Sequence, residues 1–162
     1  MLCPSPAGAI GGFTEGRLLE PTYPLVPFGA CRSAILAAMA YAIFHAAELD
    51  WVPRDDGSGR NVARLSDSMT RSRANVWRYP PGARGKRHAD RAQEEVFVVL
   101  DGTLTVDLGE PPERHVLATG SVLVVQPGTI LQLRNAGEKE LVLFIYGAPP
   151  VSEGADFHPD VP

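Results

Sequence analysis

Short apolar runs separated by turn residues make up the chain from Ile43 onward. In order, the runs read AIFHAAELDWV, VARLSDS, RANVWRY, EEVFVVLDGTLTVDLG, RHVLATGSVLVVQ, TILQLRNAG and ELVLFIYGA. Runs of this length that end at Gly, Pro, Asn, Asp or Ser are typical of strands, and they predict roughly eight to ten of them. So many antiparallel strands in so short a chain predict an all-β fold, either a closed barrel or a jelly roll.

Asp101 and Gly102 separate the runs VFVVL and TLTVDL. Because both central residues of a type I′ turn need positive φ, an Asp-Gly pair between apolar runs predicts a β-hairpin. TLTVDL and TILQLRN alternate, which indicates one buried and one wetter face. VFVVL and LVLFIY are apolar at consecutive positions and are predicted to be buried on both faces.

The first 38 residues are rich in Pro and Gly and keep no period of two or 3.6, so they predict a flexible N-terminal extension over residues 1–38. Met39 stands at the boundary and leaves two alternatives open: a natural chain that begins there, or a real arm. We expect one barrel domain over residues 39–150. A C-terminal tail over residues 151–162, with turn residues throughout, is expected to lie on the surface.

Composition narrows the class of protein. A chain of 162 residues has room for one core of ordinary size. Its formal net charge of −4 gives no attraction to nucleic acid or to anionic lipid, so the expected partner is a small molecule or another copy of the chain. Both cysteines, Cys3 and Cys31, precede the predicted domain, which argues against a disulfide framework or a cysteine zinc site there.

The longest nearly uncharged apolar stretch, residues 34–47, has 14 residues. A membrane-spanning helix needs about 20, and a signal peptide would lie nearer the amino terminus. We therefore expect a cytoplasmic protein without a membrane partner. No glycine-rich phosphate loop, dinucleotide fingerprint or nucleophile elbow occurs in the sequence.

A histidine and two carboxylates lie close together before the run VFVVL. Gly82, His88, Asp90, Glu95 and Gly102 follow the spacing Gly, five residues, His-x-His, three or four residues, Glu, six residues, Gly, with Asp90 at the second histidine position. This segment resembles the first motif of the cupin superfamily.

A second match follows at the correct distance. The second cupin motif runs Gly, five residues, Pro-x-Gly, two residues, His, three residues, Asn. The corresponding residues here are Gly120, Gln126, Gly128, Leu131 and Asn135. From about Arg73 to Ala148 the chain therefore resembles a small single-domain cupin of type 2, which implies a cupin-type double-stranded β-helix, or jelly-roll barrel.

Strand geometry gives the first motif a physical meaning. His88 and Asp90 are two apart and point to the same face of an extended segment, and Glu95 would share the barrel-facing side of the next strand with Phe97 and Val99. In cupins such residues lie together in the barrel mouth, so the resemblance implies a divalent metal at His88, Asp90 and Glu95. One imidazole and two carboxylates suit manganese, iron(II) or zinc, and three ligands leave positions open for substrate.

Two departures from the family pattern keep the metal open. Asp90 retains a ligand atom where the family has a histidine, but Leu131 replaces the histidine of the second motif with a side chain that cannot donate an electron pair. Without a metal, the His, Asp and Glu side chains could share protons and hydrogen bonds. The other histidines are expected to be structural or solvated: His45, His115 and His158.

Basic residues cluster in the loop around His88. They could pair with the carboxylates, attract an anionic ligand or simply be solvated, and solvation is the ordinary role of such charges. These residues are Arg84, Lys86, Arg87 and Arg91.

Three functions remain open, of which the third is a purely structural or partner-binding domain. The first is a metal-dependent enzyme of oxygenase or isomerase type that acts on a small molecule in the barrel mouth. The second is a metal-free module that binds or senses a small ligand, which the apolar Leu131 favours. Many cupins are dimers, so we expect a homodimer, and the apolar outer faces of VFVVL and LVLFIY could form its interface. The sequence assigns neither catalytic residues nor a substrate.

Overall fold

The computed structural model describes residues 41–150 and 154–162, which form two antiparallel sheets. The strands are β1 (Trp51–Pro53), β2 (Asn61–Arg64), β3 (Arg73–Tyr79), β4 (His88–Ala89), β5 (Glu94–Asp101), β6 (Thr103–Leu108), β7 (Glu113–Ala118), β8 (Val122–Val125), β9 (Leu131–Arg134), β10 (Leu141–Ala148) and β11 (Asp156–Phe157). Single turns of 3-10 helix occur at Ala46–Glu48 and Ser66–Ser68. This part of the chain thus has more strands than the eight to ten predicted, because two-residue strands leave no periodicity to detect.

The larger sheet has the strand order β1-β2-β3-β10-β5-β8, and the smaller has the order β11-β4-β9-β6-β7. Consecutive strands alternate between the sheets along much of the chain, as in a double-stranded β-helix. The predicted all-β jelly-roll fold is therefore confirmed. No helix in the described residues is long and apolar enough to cross a membrane.

The predicted extension over residues 1–38 lies outside the described residues, so its flexibility and the two alternatives for Met39 stay predictions. The same holds for the predicted domain boundaries, and residues 151–153 are also outside the description.

The inner faces of the two sheets enclose one apolar core, as alternation in the strands requires. Phe97 and Val99 of β5 meet Leu104 and Val106 of β6 there, and all four are at most 2% exposed. Around them lie Tyr79, Ala83, Val125, Leu131, Leu133, Leu141 and Leu143.

The hairpin predicted at Asp101 and Gly102 is wrong. β5 pairs with β8 and β10, whereas β6 pairs with β7 and β9, so the Asp-Gly turn carries the chain from one sheet to the other. Gly102 has φ +82°, and a Cβ there would lie 2.7 Å from the Glu140 carbonyl oxygen. The glycine is required by this tight corner and not by a hairpin.

The prediction that VFVVL and LVLFIY are buried on both faces is also wrong for a single chain. Val96 and Val98 of β5 and Phe144 of β10 are only partly buried, and Leu100 is exposed. The sequence pattern does not say what covers the outer face, and within the described residues this face is only partly covered.

Residues 154–162 pack closely against the smaller sheet. β11 pairs with β4, which places Phe157 opposite His88. Arg134 donates hydrogen bonds to the carbonyl oxygens of Val161 and Pro162. The end of the chain therefore forms part of the wall beside the strand that carries His88.

Candidate metal and ligand site

The structure brings His88, Asp90 and Glu95 together. One possible ligand atom from each residue lies within 4.8 Å of the others. Asp90 and Glu95 are buried, with exposed fractions of 6% and 3%, and His88 is half-buried. Along β5, Glu95, Phe97 and Val99 are buried in alternation with more exposed neighbours, which confirms that they share the barrel-facing side.

A backbone contact determines which nitrogen of the His88 ring is the donor. Nδ1 of the ring lies 3.0 Å from the Lys86 carbonyl oxygen. Because a carbonyl oxygen can only accept, Nδ1 is the donor, so Nε2 is the nitrogen that can offer a lone pair to a metal when the ring carries one proton. This arrangement is the one by which proteins orient a histidine as a metal ligand.

Arg73 is a site residue that sequence reasoning missed. From the start of β3, its Nη2 donates to Asp90 Oδ2 at 3.2 Å and to Glu95 Oε1 at 3.0 Å, and its Nε donates to Gln93 Oε1 at 2.6 Å. The signal in the sequence was weak: Arg73 begins the alternating series Arg73, Asn75, Trp77 and Tyr79, which all line the cavity.

Gly147 leaves the space in which the Gln93 side chain can reach Arg73. It lies on β10, between Arg73 on β3 and Glu95 on β5, and is paired with both. The buried Gln93 side chain occupies the space where a side chain at residue 147 would lie, because a Cβ there would be 2.3 Å from Gln93 Cδ. Gln93 also donates to the Pro149 carbonyl oxygen at 2.7 Å. The hydrogen bonds from Arg73 to Gln93 and from Gln93 to Pro149 form a polar bridge that passes over Gly147 of β10.

The pKa of the Glu95 carboxyl lies above its ordinary value. Burial raises the pKa of Glu95, and the charge of Asp90 raises it further, whereas Arg73 and His88 oppose the increase. Each of the two carboxylates still has one oxygen atom that does not contact Arg73. A carboxylate has several lone pairs, so these oxygens remain available for another ligand.

Leu131 lies directly opposite His88 in the pairing of β4 with β9. It is 1% exposed and belongs to the apolar core. The position where the family pattern has a histidine is therefore filled by core packing. Within the described residues, one group of three possible metal-ligating side chains exists, and Leu131 adds no fourth donor to it.

His88, Asp90 and Glu95 offer suitable ligand atoms for a divalent metal, but the positive charge of Arg73 lies beside them. The imidazole lone pair and two buried carboxylates suit a hard or borderline ion. However, the Arg73 guanidinium already neutralises part of the negative charge that would attract the ion. The residues therefore fit a metal that is held by three protein ligands and bound weakly.

The remaining histidines lie away from this group. His45 precedes the first 3-10 helix, and His115 on β7 lies 3.3 Å from Glu113 Oε1. The His158 backbone N–H donates to the Arg87 carbonyl oxygen. None of them joins the three-residue group.

Three of the four basic residues in the loop are paired with carboxylates. Arg84 pairs with Asp160, Arg87 with Glu110 and Arg91 with Asp156. The fourth, Lys86, lines the cavity with Nζ 5.2 Å from the centre of the Phe157 ring.

The three-residue group opens into a cavity of about 540 Å³. This volume is within the usual range for small-molecule sites, roughly 300 to 1,000 Å³. Both sheets and the C-terminal segment form its wall. Apolar residues complete the lining: Val62, Trp77, Phe97, Leu133, Ile145 and Phe157.

Two facing antiparallel sheets with a polar cavity between them define a jelly-roll domain suited to small ligands. Residues 75–146 match the family model of the cupin domain, and this part of the chain is a cupin domain. The resemblance drawn from the two sequence motifs is thereby confirmed.

Solved structures share this fold. A protein described as a sugar phosphate isomerase from a cupin superfamily, from Silicibacter pomeroyi, is 20% identical with a TM-score of 0.59, and the match covers 67% of this chain and 76% of that chain. KdgF from Halomonas sp. is 20% identical with a TM-score of 0.58, covering 69% and 96%.

A conserved protein with a double-stranded β-helix domain from Klebsiella pneumoniae is 21% identical with a TM-score of 0.61, covering 74% of this chain and 99% of that chain. Identities in this range show a shared fold and nothing about shared chemistry. A comparison with curated proteins gives no match.

Proposed function

We propose that the chain is a small-molecule-binding cupin that holds a divalent metal, manganese, iron or zinc, at His88, Asp90 and Glu95. The observation that carries this proposal is the meeting of their ligand atoms within 4.8 Å in the cavity wall. A metal bound there would supply Lewis acidity or oxygen activation to a small organic substrate, as an isomerase or an oxygenase requires.

The chain's own residues support that role in separate ways. The Lys86 carbonyl holds the His88 ring with Nε2 free to bind. Arg73 fixes one oxygen atom of each carboxylate and so orients the other. Hydrogen bonds of this kind orient metal ligands and influence affinity.

A metal-free binding module is the second candidate, and Arg73 is the observation that favours it. Two buried carboxylates already have a cationic partner at 3.0 and 3.2 Å. Leu131 also leaves the position of the family's further ligand apolar. In this case the three side chains would position a ligand through hydrogen bonds alone.

Elemental analysis of purified, untagged protein separates the two candidates. The unmodified chain is compared with His88→Ala and Glu95→Ala, and with the matched controls His115→Ala and Glu94→Ala. Glu94 is exposed on the opposite face of β5 from Glu95. Near one equivalent of manganese, iron or zinc, lost only in the first pair of variants, would support the metal site. Metal that survives both substitutions would contradict it.

Activity assays follow only if the metal is present. The isomerase name of the Silicibacter pomeroyi neighbour makes sugar phosphate isomerisation the first assay, and oxygen consumption the second. The expected cytoplasmic location stays a prediction, which fractionation of the source cells would test.

A further inference from the structure

The cavity and the whole chain differ in charge. The sequence carries a formal net charge of −4. The cavity lining, in contrast, contains three carboxylates and five cationic side chains: Arg54, Arg60, Arg64, Arg73 and Lys86. A cavity lined by an excess of positive charge raises the local concentration of small anions, even when the whole protein is negative.

Two of the cavity's cations are already committed to carboxylates. Arg60 donates to Asp56 at 2.6 Å and to the Tyr79 hydroxyl at 3.0 Å. Arg73 is held by Asp90 and Glu95. These two guanidiniums therefore contact all three acidic side chains of the lining.

Arg64 and Lys86 remain without such a partner. Among the described residues, neither has a carboxylate oxygen within 4.0 Å, and both side chains are exposed. Arg54 differs from them, since Asp56 lies 4.0 Å away. The two cations thus face the cavity with their charges unneutralised, which is the arrangement that an anionic group would complete.

Apolar side chains lie on the same wall as Arg64. Arg64 is directly opposite Asn75 in the pairing of β2 with β3, and Asn75 is opposite Ile145, which is in turn opposite Phe97. This row runs from a free cation to an aromatic ring. It would suit a ligand with a charged group at one end and a carbon skeleton behind it.

We propose that the cavity takes a small carboxylate- or phosphate-bearing molecule, with Arg64 and Lys86 as its anion-binding residues. This inference rests on the proposed small-molecule-binding function and names the class of ligand. The guanidinium suits planar or tetrahedral oxyanions, while the lysine ammonium acts as a flexible point charge.

Calorimetric titration at low ionic strength tests the proposal, with inorganic phosphate and succinate as separate probes. The full chain is compared with Arg64→Gln, Lys86→Gln and the double variant. Lys139→Gln is the control, because it removes one positive charge from the surface outside the cavity lining. Because each single variant removes one charge-assisted hydrogen bond, each should bind at least about tenfold more weakly.

Preference for phosphate or for succinate decides which oxyanion the ligand carries, and either result supports the proposal when the cavity variants alone lose affinity. The proposal is overturned if neither probe binds, or if the cavity variants and Lys139→Gln behave alike. Metal content of Arg64→Gln and Lys86→Gln should match the unmodified chain. Metal that survives in both His88→Ala and Glu95→Ala, with anion binding still dependent on Arg64 and Lys86, would contradict the metal site and leave the anion site standing.

Discussion

His88 and Leu131 lie directly opposite each other on β4 and β9. Directly opposite residues on antiparallel strands have side chains on the same face, with Cβ atoms about 4.5 to 5.5 Å apart. The motif position that lacks a donor is therefore adjacent to the imidazole of the proposed site. Core packing by Leu131 occupies the position that the family pattern gives to a histidine.

Leu131→His should strengthen metal binding at least tenfold, because it adds an imidazole beside three existing donors. It should also lower stability by about 2 to 4 kcal/mol, since it replaces a buried leucine with a polar ring. Titration with Mn²⁺ and Zn²⁺ measures the first effect and urea unfolding the second. Leu131→Asn is the control, with polarity but no imidazole. Equal affinity in the two variants would contradict the prediction.

Removing the guanidinium from the carboxylates should have opposite effects on stability and on metal affinity. In Arg73→Gln, the buried carboxylates of Asp90 and Glu95 lose their cationic partner. The metal-free protein should lose about 2 kcal/mol of stability, less than for a fully buried pair because the Arg73 side chain is 40% exposed. The same variant should bind Mn²⁺ about tenfold more tightly, because removal of a nearby positive charge should outweigh the loss of the hydrogen bonds that orient the two carboxylates.

Thermal unfolding with and without Mn²⁺ detects both effects of Arg73→Gln, since a ligand stabilises the state that binds it. Arg78→Gln is the matched control, because Arg78 pairs with Glu140 and does not line the cavity. A smaller Mn²⁺-induced shift in Arg73→Gln than in the unmodified chain would show that Arg73 assists metal binding, contrary to the prediction.

Gly147→Ala should break the polar bridge across β10. The added Cβ would lie 2.3 Å from Gln93 Cδ, so Gln93 must leave its position between Arg73 and the Pro149 carbonyl oxygen. We expect a loss of about 2 to 3 kcal/mol, the cost of overpacking together with a buried amide left unpaired. Gly154→Ala, where the Cβ would meet nothing within 4 Å, should change stability little. Similar urea midpoints for the two variants would contradict this.

Asp107 should contribute to stability in a pH-dependent way. Burial raises the pKa of this carboxyl, but the hydrogen bond from Arg114 and the charge of Arg134 outweigh it, so the pKa lies below its ordinary value. Because the folded state binds the proton less readily than the unfolded state, the contribution is complete above pH of about 4 to 5 and is lost as pH falls through the folded-state pKa.

Asp107→Asn should therefore cost about 2 kcal/mol at pH 7 and leave a smaller loss of stability on acidification. Urea unfolding at pH 7, 5 and 3 measures both effects. Asp55→Asn, in the exposed loop after β1, is the control. A cost that is the same at pH 7 and pH 3 would contradict the electrostatic explanation.

The expected homodimer also has a test on the outer face of the larger sheet. Val124 lies opposite Val96, which lies opposite Tyr146, so three neighbouring strands present a row of partly exposed apolar side chains. If a second copy covers this face, light scattering should give twice the chain mass, and Val124→Lys should halve it. Val116→Lys, on the smaller sheet, should leave the mass unchanged. An unmodified chain that is monomeric would contradict the expectation.

Sequence spacing predicted the motif residues well because strand alternation is a local property. The two-residue spacing of His88 and Asp90 and the alternation after Glu95 were sufficient to place three side chains on one wall. Arg73, Gln93 and Gly147 could not be found in this way, since their contact depends on the register of three strands that are distant in sequence. The same limit explains the failed hairpin: the Asp-Gly pair predicts a turn, but sheet membership is decided by the other strands that pair on either side.

The cavity wall combines Arg54, near the first strand, with Phe157, in the last one. Contacts between such distant parts of a chain cost the most loop-closure entropy and tend to form late in folding. The cavity wall is thus complete only once β11 has paired with β4. A piece of the chain that lacks either end of the domain would therefore lack part of this wall and could not enclose a small molecule in the same way.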